Sequence, residues 1–222
     1  MSAGAKLPLA VVISGRGSNM AAIAHACQKD QIAARIVRVI ADRRSAGGIA
    51  LARQLGLEVS VVAHADFATR EDFERALAEA IDASGARLVV LAGFLRILSP
   101  QFAHRYAGAL LNIHPALLPK FRGLHTHQRA LEARETEHGA SVHFVTGELD
   151  AGPIILQGRV PVRPGDTAEV LSARVQHVEH IIYPKAIGWI AANRLRLAGD
   201  VVYFDDRPLS APLTDAPGES AP

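Results

Sequence analysis

Apolar positions in the first half of the chain alternate between two patterns. Short β-branched runs at residues 9–14, 35–41, 59–63 and 88–92 read as strands, and the stretches 19–29, 47–55 and 69–84 between them read as helices. The punctuation agrees. Gly56 and Gly85 stop two of the helices, and Thr69 stands as an N-cap ahead of Glu71 and Asp72, acids that favour the positive end of a helix dipole. The run 88–92 is nearly all apolar, as expected of a strand covered on both faces.

The second half is less regular. Residues 110–114 form a short apolar strand, followed by a loop carrying Pro115, Pro119 and Gly123 and a short helix over 128–134. Strands at 141–145 and 154–162 flank a loop over 147–153, a long helical stretch interrupted by Pro184 covers 167–193, and 194–205 reads as a hairpin. From Pro208 the chain is rich in Pro, Ser and Ala, which predicts a disordered tail over 208–222. Strands alternating with helices imply right-handed crossovers. The expected fold is therefore α/β: a Rossmann-like, mostly parallel twisted sheet with helices on both faces and a C-terminal antiparallel extension. Residues 1–207 form one domain, with an N-terminal half over about 8–107 and a C-terminal half over about 108–207. Ligands of such sheets bind beyond the carboxyl ends of the strands, which directs attention to 14–19, 93–98 and 112–115.

Composition narrows the function classes. The 222 residues are 49% hydrophobic and 21% charged, with a net charge of +2 and acids and bases well mixed. This lacks the basic stripe of a nucleic-acid binder. One cysteine, Cys27, permits no disulfide within the chain and fits a reducing compartment. It lies on the apolar side of a helix, where a core role outweighs a nucleophilic one. The apolar run near the N-terminus ends in Ser14-Gly15-Arg16-Gly17, not in a cleavage site, and no segment reaches transmembrane length. A cytoplasmic protein without membrane contact is expected.

Three motifs are candidates for chemistry. Ser14-Gly15-Arg16-Gly17-Ser18-Asn19 joins a strand to a helix, where glycines let the backbone approach an anion and the helix N-terminus offers free N–H groups. Met20 stands where a dinucleotide fingerprint needs glycine, and no Gly-Lys-Ser/Thr follows, which favours a lone phosphate. A tight turn capped by Asn19 explains the same residues equally well. In Leu111-Asn112-Ile113-His114-Pro115, Asn112 and His114 project from one side of a strand, an amide donor beside an imidazole, which suits acyl transfer. A hydrogen-bonded polar pair at a strand end is the bland alternative. Glu148-Leu149-Asp150-Ala151-Gly152-Pro153 puts an acid on a loop, of consequence only if folding brings Asp150 to His114. His125 and His127 lack recognisable metal-ligand spacing and read as loop histidines, and no metal is expected.

Together with Ala92-Gly93-Phe94-Leu95-Arg96-Ile97-Leu98, these motifs resemble, in colinear order over about residues 8–205, the phosphoribosylglycinamide formyltransferase family of purine biosynthesis. The resemblance implies 10-formyltetrahydrofolate as cosubstrate and glycinamide ribonucleotide as acceptor, in a monomer or homodimer that uses only small-molecule substrates. It implies that Gly17, Ser18 and Asn19 bind the acceptor phosphate and that Glu179 holds its ribose. Arg70, Leu95, Arg96, Ile97, Leu98, Val145, Thr146, Gly147 and Glu148 would contact the folate, and Asn112, His114 and Asp150 would form the catalytic trio. Three positions depart from the family pattern: Arg16 stands where Asn is expected, Gly147 where many members carry an acid, and Ala151 where Gly is frequent. Formyltetrahydrofolate hydrolase and other formyl-folate enzymes share the same trio and are the alternative. The hydrolase would carry an extra N-terminal regulatory domain, and methionyl-tRNA formyltransferase an extra C-terminal one.

Overall fold

The computed structural model describes residues 5–215. Its N-terminal part runs β1 (Leu7–Ile13), α1 (Ser18–Gln28), β2 (Ala34–Ala41), α2 (Gly48–Gln54), β3 (Val59–Val61), α3 (Arg70–Ala83), β4 (Leu88–Leu91), α4 (Pro100–Arg105) and β5 (Leu110–His114). These five strands are parallel to their neighbours in the order β3-β2-β1-β4-β5. After α5 (Thr126–Glu132), the strands β6 (Glu137–Phe144) and β7 (Ile154–Pro161) extend the sheet antiparallel beyond β5. Helix α6 (Ala168–Ala191) then leads to an antiparallel sheet of β8 (Leu195–Ala198), β9 (Val201–Phe204) and β10 (Arg207–Pro208).

Alternation along β1 explains the two covered faces. Leu9, Val11 and Ile13 enter a core with Met20, Ile23 and Cys27 of α1 and with Tyr183, Ala186 and Ile187 of α6. Ala10 and Val12 enter a second core with Phe73, Leu77 and Ile81 of α3 and Phe102 of α4. Both sets are fully buried, so the strand has no polar face to show. Thr69 caps α3 as predicted, its side chain accepting from Asp72 N at 3.1 Å. Cys27 belongs to the core, and burial pushes its thiol up to about 11, which leaves it protonated and inert.

Two expectations need correction. Pro184 does not interrupt the long helix: α6 runs unbroken through it. Pro184 has no N–H for the carbonyl of His180, but the turn is held from outside. Tyr183 is fully buried and donates from its hydroxyl to Leu91 O (3.0 Å) and Leu111 O (3.2 Å), pinning the helix across β4 and β5. The expected disordered tail is in part a strand. β11 (Leu213–Asp215) pairs parallel with Leu156, Gln157 and Gly158 of β7 and closes the large sheet. Lys185 Nζ reaches Asp215 Oδ1 at 2.5 Å, so an unpaired strand edge and a helix cation jointly hold the segment. Residues 216–222 lie outside the described residues.

Candidate functional site

The sheet order reverses between β1 and β4, and their carboxyl ends, with that of β5, open onto a cleft of about 410 Å³. Segments 93–98, 112–115, 123–127 and 145–150 line it, together with Asn19 and Glu179.

At its floor, strand alternation aims Asn112 and His114 together. Asp150 arrives from the loop between β6 and β7 and closes on His114, Oδ2 to Nδ1, at 3.3 Å. Both side chains are more than nine-tenths buried. Asp150 Oδ2 also accepts from Gly123 N at 2.9 Å. The other ring nitrogen of His114, Nε2, donates to Phe121 O at 2.9 Å. With a carbonyl on one side and a carboxylate on the other, both ring nitrogens face acceptors. The neighbouring histidine faces a donor instead. His143 lies directly across from Asn112 in the β5–β6 register, and burial pushes its pKa below the ordinary value. Its Nδ1–H donates to Phe144 O (2.9 Å), leaving Nε2 as an acceptor for Asn112 Nδ2 (3.2 Å). One N–H of Asn112 is therefore fixed by a neutral imidazole, while the amide's second hydrogen remains for another acceptor. Sequence reasoning missed His143 because its partner is set by antiparallel register.

The glycine turn is an open donor end. Gly17 is the N-cap of α1 in a left-handed conformation (φ 79°), with no side chain capping the helix. An added Cβ there would stand 2.9 Å from Gly48 Cα, so the turn packs glycine against glycine at the start of α2. Asn19 does not cap the turn. Its Nδ2 donates instead to Glu179 Oε2 on α6 at 2.7 Å, while its Oδ1 is buried without a partner among the described residues. Ser18 Oγ accepts from Gln176 Nε2 at 3.1 Å. Gln176 and Glu179 lie one turn apart on α6 and meet two consecutive residues of α1. Gln176 carried no signal along the chain, since only the docking of α6 against α1 brings it there.

Glu179 is buried, and burial raises its pKa above the usual carboxylate range, the Asn19 hydrogen bond opposing. A carboxyl group with a raised folded pKa costs nothing below its unfolded value. The cost appears as pH rises through the ordinary Glu range and is full above the raised folded pKa. Glu179→Gln is therefore expected to melt at a higher temperature than the parent at pH 7 to 8 and at the same temperature near pH 4. A pH series of thermal melts checks this, and equal melting temperatures throughout would refute it.

The opposite wall is apolar and exposed: Leu95 (62%), Ile97 (59%), Leu124 (67%) and Leu149 (43%) face the cleft. Exposed side chains of this size gathered in one place mark a binding surface. Segment 93–98 is anchored at both neighbouring strand ends. Leu95 N donates to Ser14 Oγ (3.1 Å), and Arg96 Nε donates to Asp42 Oδ2 (2.7 Å). Val145, Thr146, Gly147 and Glu148 line the cleft as well, Glu148 pairing with Arg122 at 3.0 Å. An added Cβ on Gly147 would sit 2.9 Å from Pro100 Cβ, so a side chain there displaces the loop. Gly17, Ser18 and Arg70 do not line the cleft: Arg70 is exposed and paired with Glu74 at 3.0 Å, and Glu74 in turn accepts from Ser99 N beside Leu98. His127 and His138 pair with each other, Nδ1 to Nε2 at 3.2 Å, and burial pushes His138 down to about 4. Among the described residues, no group of three His, Cys, Asp or Glu side chains converges in a metal-binding cluster, and no helix is long and apolar enough to cross a membrane.

Similarity to known proteins runs over nearly the whole chain. A family model described as formyl transferase matches residues 7–187. Phosphoribosylglycinamide formyltransferase of Escherichia coli strain K12 is 48% identical over 201 residues, covering 90% of this chain and 95% of that protein. The protein of the same name from Haemophilus influenzae is 42% identical with the same coverage. A solved structure of phosphoribosylglycinamide formyltransferase from Coxiella burnetii, in complex with CHES, matches with a TM-score of 0.90 at 47% identity, covering 94% of this chain and 99% of that one.

Proposed function

Since the chain belongs to the formyl transferase family, we propose that it transfers the formyl group of 10-formyltetrahydrofolate to the amine of 5-phosphoribosylglycinamide, in de novo purine biosynthesis. One observation carries the chemistry: a histidine with acceptors on both ring nitrogens stands beside an amide with one N–H to spare, in the same cleft as Glu179 and the glycine turn's Asn19.

The acceptor phosphate sits on the open N–H groups after Gly17, with Ser18 and Asn19 adding side-chain atoms, and Glu179 takes the ribose hydroxyls. The apolar wall of Leu95, Ile97 and Leu98 takes the flat pterin, with segment 145–148 opposite it, and Arg70 and Arg96 supply cations for the folate's anionic end. The acceptor amine attacks the formyl carbon. A tetrahedral intermediate forms, and its oxyanion takes the free N–H of Asn112 and the Nε2–H of His114, which leaves the Phe121 carbonyl to reach it. Asp150 holds the His114 ring in place through Nδ1. Through a water, Asp150 also takes the proton from the attacking amine and delivers it to N10 as the bond between N10 and the formyl carbon breaks. The products are formylated acceptor and tetrahydrofolate. A cytoplasmic location fits an inert, unpaired Cys27, and small molecules suffice as partners.

The decisive assay follows folate absorbance with 10-formyltetrahydrofolate in the presence and absence of glycinamide ribonucleotide. Change that depends on the acceptor is expected. Loss without acceptor would make the protein a hydrolase, and no change in either arm would reduce it to a binding module.

A further inference from the structure

We propose that Asp42 is a positioning residue for the formyl donor, acting by holding the Arg96 guanidinium in a fixed place on the cleft wall. The inference rests on the reading of that wall as the folate side of the site.

Asp42 follows β2 directly, and its backbone is tied on both sides: its N–H donates to Ile13 O at 3.1 Å and its carbonyl accepts from His64 N at 2.9 Å. Its carboxylate has no solvent exposure at all. Each oxygen meets a different arginine. Oδ1 accepts from Arg43 Nε at 3.3 Å, and Oδ2 accepts from Arg96 Nε at 2.7 Å. Arg96 is held through Nε alone, and its terminal nitrogens carry no hydrogen bond among the described residues. That is the arrangement of a clamp with its working end free, because an arginine gripped at Nε still presents its two terminal NH2 groups in a fixed plane. The guanidinium carbon also stands 6.0 Å from the centre of the Phe73 ring, which limits the other side of its range. With Ser14 holding Leu95 N, Asp42 gives segment 93–98 a second anchor, one strand further along the sheet edge.

Charge and position predict opposite results for this carboxylate. If Asp42 mattered only by its field, removing it would leave Arg43 and Arg96 unneutralised and draw an anionic donor in more tightly. If it positions Arg96, removing it lets the guanidinium wander, and the donor must order it on binding.

Steady-state kinetics with Asp42→Asn and Asp42→Glu separate the two. Expected is a rise of about tenfold in donor KM for both variants, with kcat and acceptor KM within about twofold of the parent. Asp42→Glu is the critical variant, since it keeps the charge and only displaces the contact by a methylene. In an Arg96→Met background, Asp42→Asn is expected to add nothing further. An unchanged or lowered donor KM, or effects of Asp42→Asn and Arg96→Met that simply add, would overturn the proposal. If Asp42→Asn does not fold, Asp42→Glu decides alone. If the parent itself shows no acceptor-dependent transfer, the functional reading has failed, and calorimetric binding of 10-formyltetrahydrofolate to the same variants tests Asp42 independently.

Discussion

His114→Ala is expected to lower kcat for formyl transfer on the order of 10²–10³-fold with little change in either KM, and Asn112→Ala by a similar factor. In the proposed mechanism neither side chain is needed to bind the ground state, because the cleft's area lies in its apolar wall. What they supply in that mechanism is hydrogen bonding to charge that exists only in the tetrahedral intermediate. Both side chains are held in place before reaction, with the His114 Nε2–H on Phe121 O until the oxyanion forms. Asn112 is fixed by His143, which burial keeps neutral and therefore accepting at Nε2, and His114 is fixed by Asp150 at 3.3 Å. The double variant should lose little more than the worse single one, since the two donors serve one oxygen. Stopped assays at saturating donor and acceptor, with circular dichroism to verify folding, measure this. Near-normal turnover in both single variants would remove Asn112 and His114 from the chemistry.

The same trio marks how far the sequence could be read. Asn112 and His114 were legible because a strand's period of two puts them on one side whatever the rest of the chain does. Asp150 was visible as an acid on a loop bounded by glycine and proline, and only its colinear place in a family pattern tied it to His114. His143, Gln176 and Asp42 were not legible, for a common reason. Each acts through a residue on another element, and its partner is chosen by antiparallel register, by helix docking or by which strand ends lie side by side. The elements themselves divide in the same way. The parallel half followed from β-branched runs and glycine stops. Helix α4 escaped notice although Ser99 caps it and Pro100 opens it, because its six residues are too few for a period to register. Pro184 misled because local propensity yields to the anchoring of Tyr183. The tail misled because composition says nothing of an unpaired edge on β7 that three residues can fill.

Gly152→Ala should be as damaging to turnover as many substitutions of reacting groups, although Gly152 does not line the cleft. An added Cβ would stand 1.9 Å from Phe144 O and 3.0 Å from Phe144 C, with Thr146 Cγ2 at 3.1 Å. The first two are strand backbone and cannot turn aside as a flexible side chain would. Phe144 N donates to Pro153 O at 3.0 Å, so the loop returns to β6 immediately after Gly152 and has no slack. A methyl group must therefore push the segment outward, and Asp150, two residues earlier and already in the left-handed region at φ 48°, moves with it. The contacts at stake are short, 2.9 Å to Gly123 N and 3.3 Å to His114 Nδ1. Displacement by about 1 Å at such a centre costs about 10²-fold in rate, and forcing a methyl into packed backbone costs about 1–3 kcal/mol of stability. Gly152→Ala is thus expected to melt lower and to lose about two orders of magnitude in kcat. Asp150→Asn added to Gly152→Ala should then cost much less than it does in the parent, because the carboxylate it removes is already out of place. Full additivity of the two substitutions would mean that Asp150 keeps its position without the tight return, and that the glycine serves the fold alone.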